Sequence, residues 1–386
     1  MADNIVIFGS GAYVLGDAFG PSPVLRGVLQ WARRQATSLA PRDVHVQLVC
    51  HSSDKYDYVT QKAAAAAAEV GAAHLLQVVH YEEGLRLFGE HPLAAFICVP
   101  DEAHAFYLMR AIETGCPAWV VKPLTGELVS AKAAFDAATE KGADVWVDYH
   151  KRFDPSNNYI YKSMIEQSYG DMLHYSVQYT QPRSLPLDAF TWSKTSDAFT
   201  YIGCHYVDQL DFLFPGIVPE KVTATGLEGE VFATLGGHCY DLVLAEILCR
   251  KPNGKRLMAT MQVGWCDPAG TPGKSHQRVE VTFARGRIIA DQKVRGLQIW
   301  DENHTNEVNP FFFGSRIDPF EQRLTYEGYG IESITRFLDW CVTTPENKAF
   351  WRKSTALPWI ERSEFTETVL DMVRRSLDAD GDWIKV

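Results

Sequence analysis

The chain has 386 residues, 46% of them apolar and 22% charged, with a formal net charge of −11. That length exceeds one ordinary domain and points to two, with enough apolar content for each to bury a core. The acidic balance without any basic run excludes nucleic acid and anionic membrane as expected partners, and no apolar stretch is long enough to span a bilayer.

The first apolar run, Ile5 to Phe8, leads straight into Gly9-Ser10-Gly11, the order in which a strand enters a phosphate-binding helix N-terminus. Val14 stands where the third small residue of that pattern usually lies, and Pro21 and Pro23 interrupt the helix that should follow. Ser22 as a cap and Pro23 in a first turn predict that the helix restarts there, which leaves an insertion over roughly Gly16 to Pro21. Up to about residue 150, the apolar runs VHVQLVC, HLLQVV, AAFICV, PAWVV and DVWVDY alternate with helical stretches such as VLRGVLQWARRQ, KAAAAAAEV and HAFYLMRAIETG. Strands spaced by helices of this length predict right-handed βαβ units and a parallel sheet.

Beyond residue 150 the pattern changes. DMLHYSVQYTQ, KVTATGLEGE, DLVLAEILCR, RLMATMQVGW, RVEVTFA and RIIADQK follow one another across Gly, Pro and Asn turns. Many alternate apolar with polar, as an antiparallel sheet with one solvated or partner-covered face requires. Helical segments are expected near 200–214, 330–344 and 359–378. The fold class is therefore α/β: a Rossmann dinucleotide-binding domain over 1–150, then an α+β domain over 151–386 built on a large, mostly antiparallel sheet. The eight cysteines show neither CxxC pairs nor zinc spacing, so buried free thiols in a reducing cytoplasm are expected, and no metal set emerges.

Without side chains, Gly9 and Gly11 let the backbone approach a pyrophosphate, with Ala12, Tyr13 and Val14 continuing the cradle; the competing reading is a structural βα turn. The end of the second strand reports the cofactor. His51, Ser52 and Ser53 lean toward the 2′-phosphate of NADP, while Asp54, the acid that would favour NAD, comes slightly late beside Lys55. Both NAD and NADP stay open on this reading.

Longer stretches make a family resemblance specific. ICVPDEAHAFYLMRAIETGCPAWVVKPLTGE resembles the central block of the glucose–fructose oxidoreductase/inositol dehydrogenase family (Gfo/Idh/MocA), a strand ending T-P-x-x-x-H, a helix ending in Gly, another strand, then E-K-P. Val99, Pro100 and His104 match the first element, and Lys122-Pro123 the last, with Val121 in place of Glu. VDYHKRFDPSN is similar to the family's Arg-Phe-x-Pro segment through Arg152, Phe153 and Pro155. TYIGCHYVDQLDFLFPG is similar to its D-x-G-x-H-x-x-D helix through Gly203, His205 and Asp208, with Tyr201 where the family carries Asp.

The resemblance implies a Rossmann domain, a cofactor held also by Pro100, Asp101, His104, Lys122, Pro123 and Arg152, and hydride transfer at a hydroxyl or carbonyl carbon of a sugar, cyclitol or glycoside. Lys122 would stabilise a developing alkoxide and His205 would accept the proton, as an ammonium and an imidazole can. Tyr201 would orient the imidazole or act as an acid. Trp192, Lys194, Arg152 and Asp208 would contact substrate; for Arg152 an ion pair between domains, and for Asp208 a structural pairing, are equally available. A homodimer or homotetramer through the C-terminal sheet is implied as well. Two rival activities stay open: a redox glycosidase that recycles tightly bound NAD, and a nucleotide-sensing regulator without catalysis.

Overall fold

The computed structural model describes residues 3–17, 20–190, 192–292, 295–300, 302 and 305–386. Strands and helices alternate at the start: β1 (Asp3–Phe8), the single turn α1 (Ala12–Leu15), α2 (Pro23–Ala36), β2 (Val44–Cys50), α3 (Tyr56–Glu69), β3 (Leu76–His80) and α4 (Tyr81–Leu87). There follow β4 (Ala94–Ile97), α5 (His104–Thr114), β5 (Ala118–Val120), α6 (Leu128–Lys141) and β6 (Val145–Val147). These strands pair in parallel in the order β3-β2-β1-β4-β5-β6. The direction of winding reverses between β1 and β4, where open α/β sheets bind ligands. β1 is apolar at successive positions because both faces of such a sheet are covered; Ile5, Val6, Ile7 and Phe8 are all buried.

The chain then forms α7 (Pro155–Ile165), β7 (Met172–Pro182), α8 (Cys204–Leu213), β8 (Val218–Leu227), α9 (Glu230–Leu235), β9 (Leu242–Arg250) and β10 (Arg256–Asp267). Next come β11 (His276–Phe283), β12 (Gly286–Asp291), and two hairpins, β13 (Leu297–Trp300) with β14 (Thr305–Val308) and β15 (Gly314–Asp318) with β16 (Arg323–Glu327). It closes with α10 (Tyr329–Val342), α11 (Pro345–Trp351), α12 (Glu364–Asp378) and β17 (Ile384–Lys385). The second sheet has the order β12-β11-β7-β10-β9-β8-β17, antiparallel except for the β7–β10 pair. In β9 the buried Val243, Ala245, Ile247 and Cys249 alternate with more exposed neighbours, the mark of one packed face.

Two compact units result. The first comprises Met1–Leu124, Lys132–Phe153 and Pro310–Ile360; the second comprises Thr125–Ala131, Asp154–Asn309 and Glu361–Val386. A single division at residue 150 does not describe the return of residues 310–360 to the first unit. That return has a physical cause: Ile331, Ile334, Phe337 and Leu338 of α10 share one core with Val24, Leu25 and Val28 of α2. Each side chain so buried contributes roughly 1.5–3 kcal/mol. The Gln30 amide also bonds both ways to the Tyr326 backbone, donating at 2.9 Å and accepting at 2.8 Å.

The helix after the glycine turn breaks as the prolines predict. α1 ends after one turn, Asp17 and Gly20 pair across the loop, and α2 restarts at Pro23 behind Ser22. Residues 18 and 19 of the expected insertion lie outside the described residues. A one-turn helix leaves its last carbonyls without partners of its own. Here the Ser22 hydroxyl donates to the Tyr13 carbonyl, and Arg26 donates to that of Leu15 at 3.3 Å. Among the described residues no helix is long and apolar enough to cross a membrane. None of the eight cysteines is in a disulfide, and burial pushes the Cys116 and Cys249 thiols up to about 12.

Candidate active site

In the first unit the sequence-predicted residues gather along the carboxyl edge of the parallel sheet. Gly9 has φ +104°, and a Cβ there would lie 2.2 Å from the Cys98 carbonyl oxygen, so only glycine lets β1 leave the sheet beside β4. A Cβ on Gly11 would meet nothing within 4 Å, and Gly11 and Ala12 are exposed. Small residues and open backbone at the switch point fit the pyrophosphate of a dinucleotide. Tyr13 is half-buried, whereas Val14 is buried in the core.

Beyond β2, the Ser52 hydroxyl donates to the Asp54 carboxylate, and this bond holds the Asp54 carboxyl below its ordinary range. Ser53 opens the same short 3-10 turn and is exposed. His51 packs against Tyr81 with ring centroids 4.4 Å apart and planes tilted by 34°, and burial pushes its imidazole down.

Lys122 lies two residues beyond the end of β5 and is half-buried; its bond to Pro123 is cis. Pro100 is exposed beyond β4, and Asp101 is buried in the turn that leads into α5. His104 is fully buried: one ring nitrogen lies 2.9 Å from the Val99 carbonyl, the other 2.9 Å from that of Pro123 and 3.2 Å from that of Leu124. Its ring therefore clamps the end of β4 to the residues just after Lys122. Arg152 is buried too, and its guanidinium donates to the Thr355 and Leu357 carbonyls at 3.2 and 3.3 Å.

Sequence reasoning did not single out Asp148, although it stands in a stretch noted for other residues. Its buried carboxylate accepts from Tyr13 at 2.8 Å and Ser333 at 2.8 Å, and lies 3.1 Å from His150 Nδ1. Trp119 Nε1 donates onward to Ser333 at 3.4 Å. Only the spacing of Asp148 and His150 beyond a strand end was visible in the sequence, not their partners.

In the second unit, Phe199–Gly203 wind as a π-helical turn into α8, and every residue of α8 is buried. A π turn is rare and recurs at functional sites. It also means that Tyr201 precedes His205 across a change of helix pitch, not along one regular α turn. The Tyr201 ring packs among Trp192 at 4.8 Å, Phe190 at 5.3 Å and Trp265 at 6.1 Å. Lys194 is exposed on the turn beyond Trp192. His205 and Asp208 are both buried on α8. Burial, with added repulsion from Asp208 and Asp154, pushes the Tyr175 hydroxyl well up.

Fold and sheet-edge geometry together define a Rossmann-type dinucleotide-binding architecture with a second, sheet-based unit. Residues 37–149 match the family described as "Oxidoreductase family, NAD-binding Rossmann fold". That match covers less than a third of the chain and agrees with the resemblance to the glucose–fructose oxidoreductase/inositol dehydrogenase family (Gfo/Idh/MocA). The chain is 24% identical over 202 residues to the inositol 2-dehydrogenase of Rhizobium meliloti (strain 1021), a match over 52% of this chain and 57% of that enzyme. The same fold is seen in scyllo-inositol dehydrogenase from Lactobacillus casei with bound NAD(H) and scyllo-inositol, at 16% identity and TM-score 0.67, over 100% of this chain and 99% of that one. It is seen again in GenD2 from gentamicin A biosynthesis in complex with NAD, at 17% identity and TM-score 0.67, over 100% and 96%.

Proposed function

We propose that this protein is an NAD-dependent dehydrogenase that oxidises a ring hydroxyl of a cyclitol or related sugar. The observation that carries the reading is the position of Lys122 at the carboxyl end of β5, on the same sheet edge as the Gly9–Gly11 turn, whose Gly11 is exposed. The turn would hold the pyrophosphate, and Pro100 and Pro123 would border it at the ends of the next strands. Asp54 favours NAD, since a carboxylate beside the ribose accepts its hydroxyls and repels a 2′-phosphate. When bound, NAD supplies the hydride acceptor. The relatives act in name on inositols, which supports a cyclitol over other alcohols.

An alcohol gives up its proton reluctantly at neutral pH. The Lys122 ammonium would donate to the substrate oxygen and stabilise charge as it develops there, the more strongly where water is excluded. His205 would take the hydroxyl proton as the carbon–oxygen double bond forms. Asp208 would accept from a neighbouring hydroxyl, and Trp192 with Tyr201 would offer aromatic faces to the C–H side of a ring. Exposed Leu173, Leu227, Leu244 and Ile289 on the second sheet favour a homo-oligomer built on that face. The buried thiols suit a reducing cytoplasm.

The test is to mix the purified protein with NAD and a panel of inositols, sugars and glycosides while following the absorbance of reduced nicotinamide. Net reduction in step with oxidation of a cyclitol or sugar is expected. Glycoside cleavage without net reduction, or tight dinucleotide binding without turnover, would overturn the reading.

A further inference from the structure

One guanidinium in the second unit touches two segments on which this chemistry depends. Arg374, on α12, donates through Nη1 to the Gly126 carbonyl. Its Nη2 donates to Thr200 Oγ1 at 2.9 Å and to Asp197 Oδ2 at 3.2 Å, and its Nε to the same carboxylate oxygen at 3.3 Å. Gly126 lies in the loop that begins at Lys122. Asp197 and Thr200 introduce the turn that carries Tyr201 and runs into α8 and His205.

Asp197 itself shapes that turn. Its Oδ1 accepts from the Thr200 amide at 2.7 Å, its Oδ2 from the Thr200 hydroxyl at 2.6 Å, and its carbonyl from the Tyr201 amide at 2.8 Å. The carboxylate is buried, and Arg374 is a cation that pairs with it. A planar guanidinium presents donors in fixed directions and so satisfies acceptors on two segments at once, which a lysine ammonium on a flexible stem does not. α12 does not need this residue to dock: Phe365, Val369, Leu370, Met372, Val373 and Leu377 bury its apolar side.

We propose that Arg374 is a positioning residue that sets, through one side chain, both the loop following Lys122 and the turn leading into His205. This rests on the reading of Lys122 and His205 given above. The chemistry asks for reacting groups held closely in place, and a misplacement of an ångström costs about 100-fold in rate.

The test uses the full chain with Arg374→Ala and Arg374→Lys. Arg374→Ala should lower kcat on the cyclitol or sugar by about 100-fold while KM for NAD stays within about threefold, with Arg374→Lys in between. Added guanidinium should restore part of kcat in the alanine variant and leave the wild type unchanged. A recess of about 220 Å³ lined by Gly126, Glu127, Leu370 and Asp371 opens beside Arg374 and gives it entry. Independently of turnover, hydrogen exchange in Arg374→Ala should rise together in peptides covering 124–128 and 197–205. A folded alanine variant with wild-type kcat, or exchange unchanged in either segment, would overturn the proposal. A wild type inactive on every cyclitol and sugar refutes the proposed function, and the exchange result alone then decides this inference.

Discussion

The Tyr13 hydroxyl donates to the Asp148 carboxylate across 2.8 Å, joining the turn after β1 to the end of β6, 135 residues further along the chain. In the sheet, β4 and β5 lie between those two strands. The bond spans the edge along which the dinucleotide is proposed to lie, and it anchors a helical turn too short to hold itself. Tyr13→Phe should cost about 1–2 kcal/mol of stability, since a hydrogen bond to a buried charge is lost. It should also weaken NAD binding, read by titration of intrinsic fluorescence. Unchanged NAD affinity would show that the glycine turn does not depend on this bond.

Lys122→Ala is expected to reduce kcat by at least about 100-fold, as loss of a donor to a developing oxyanion does. NAD binding should stay measurable in the same variant, because the turn at Gly9–Gly11 is untouched. Near-normal turnover would remove Lys122 from the chemistry.

Asp54 is fully exposed to solvent and bonded to Ser52, so its charge stands free to act on a ribose edge. Asp54→Ala should shift the ratio of NADP to NAD affinity upward by about tenfold or more, chiefly by admitting the extra phosphate. Titrations with the two dinucleotides measure it, and a ratio equal to wild type would assign the discrimination elsewhere.

Glu69 accepts from Arg26 at 2.7 Å and from Tyr326 at 2.9 Å. Burial works to raise its carboxyl, but these two hydrogen bonds and the guanidinium charge outweigh that and hold it below its ordinary 4.5. A carboxylate depressed in the folded state contributes stability that is complete above its unfolded value and fades as pH falls through the folded one. Glu69→Gln should therefore be less stable than wild type at neutral pH, by about 0.5–1 kcal/mol at so solvated a pair. Denaturant titrations should show that gap closing below 4.5. A gap that persists in acid would refer the effect to shape instead of charge.

Local pattern carried much of this architecture. The parallel half, the strand-rich half, the restart at Pro23 and the helices ending the chain were legible because periodicity, Pro and Gly act over a few residues. The family resemblance in the stretches around His104, Lys122 and His205 was legible for the same reason: each motif is contiguous. The π turn at Tyr201 was not, since no local signal distinguishes it from the start of an α-helix.

What the amino-acid order determined by itself was which segments become strands and helices, and which short motifs carry small, basic or imidazole side chains at their ends. Only the tertiary structure decided that residues 310–360 return to the first unit, that His104 closes on three backbone carbonyls, that Asp148 holds Tyr13, and that Arg374 joins Asp197 to Gly126. The reason is range. Backbone preference is set by neighbours in the chain, whereas a buried polar group takes whichever partner packing brings to it, and that partner can stand anywhere in the sequence.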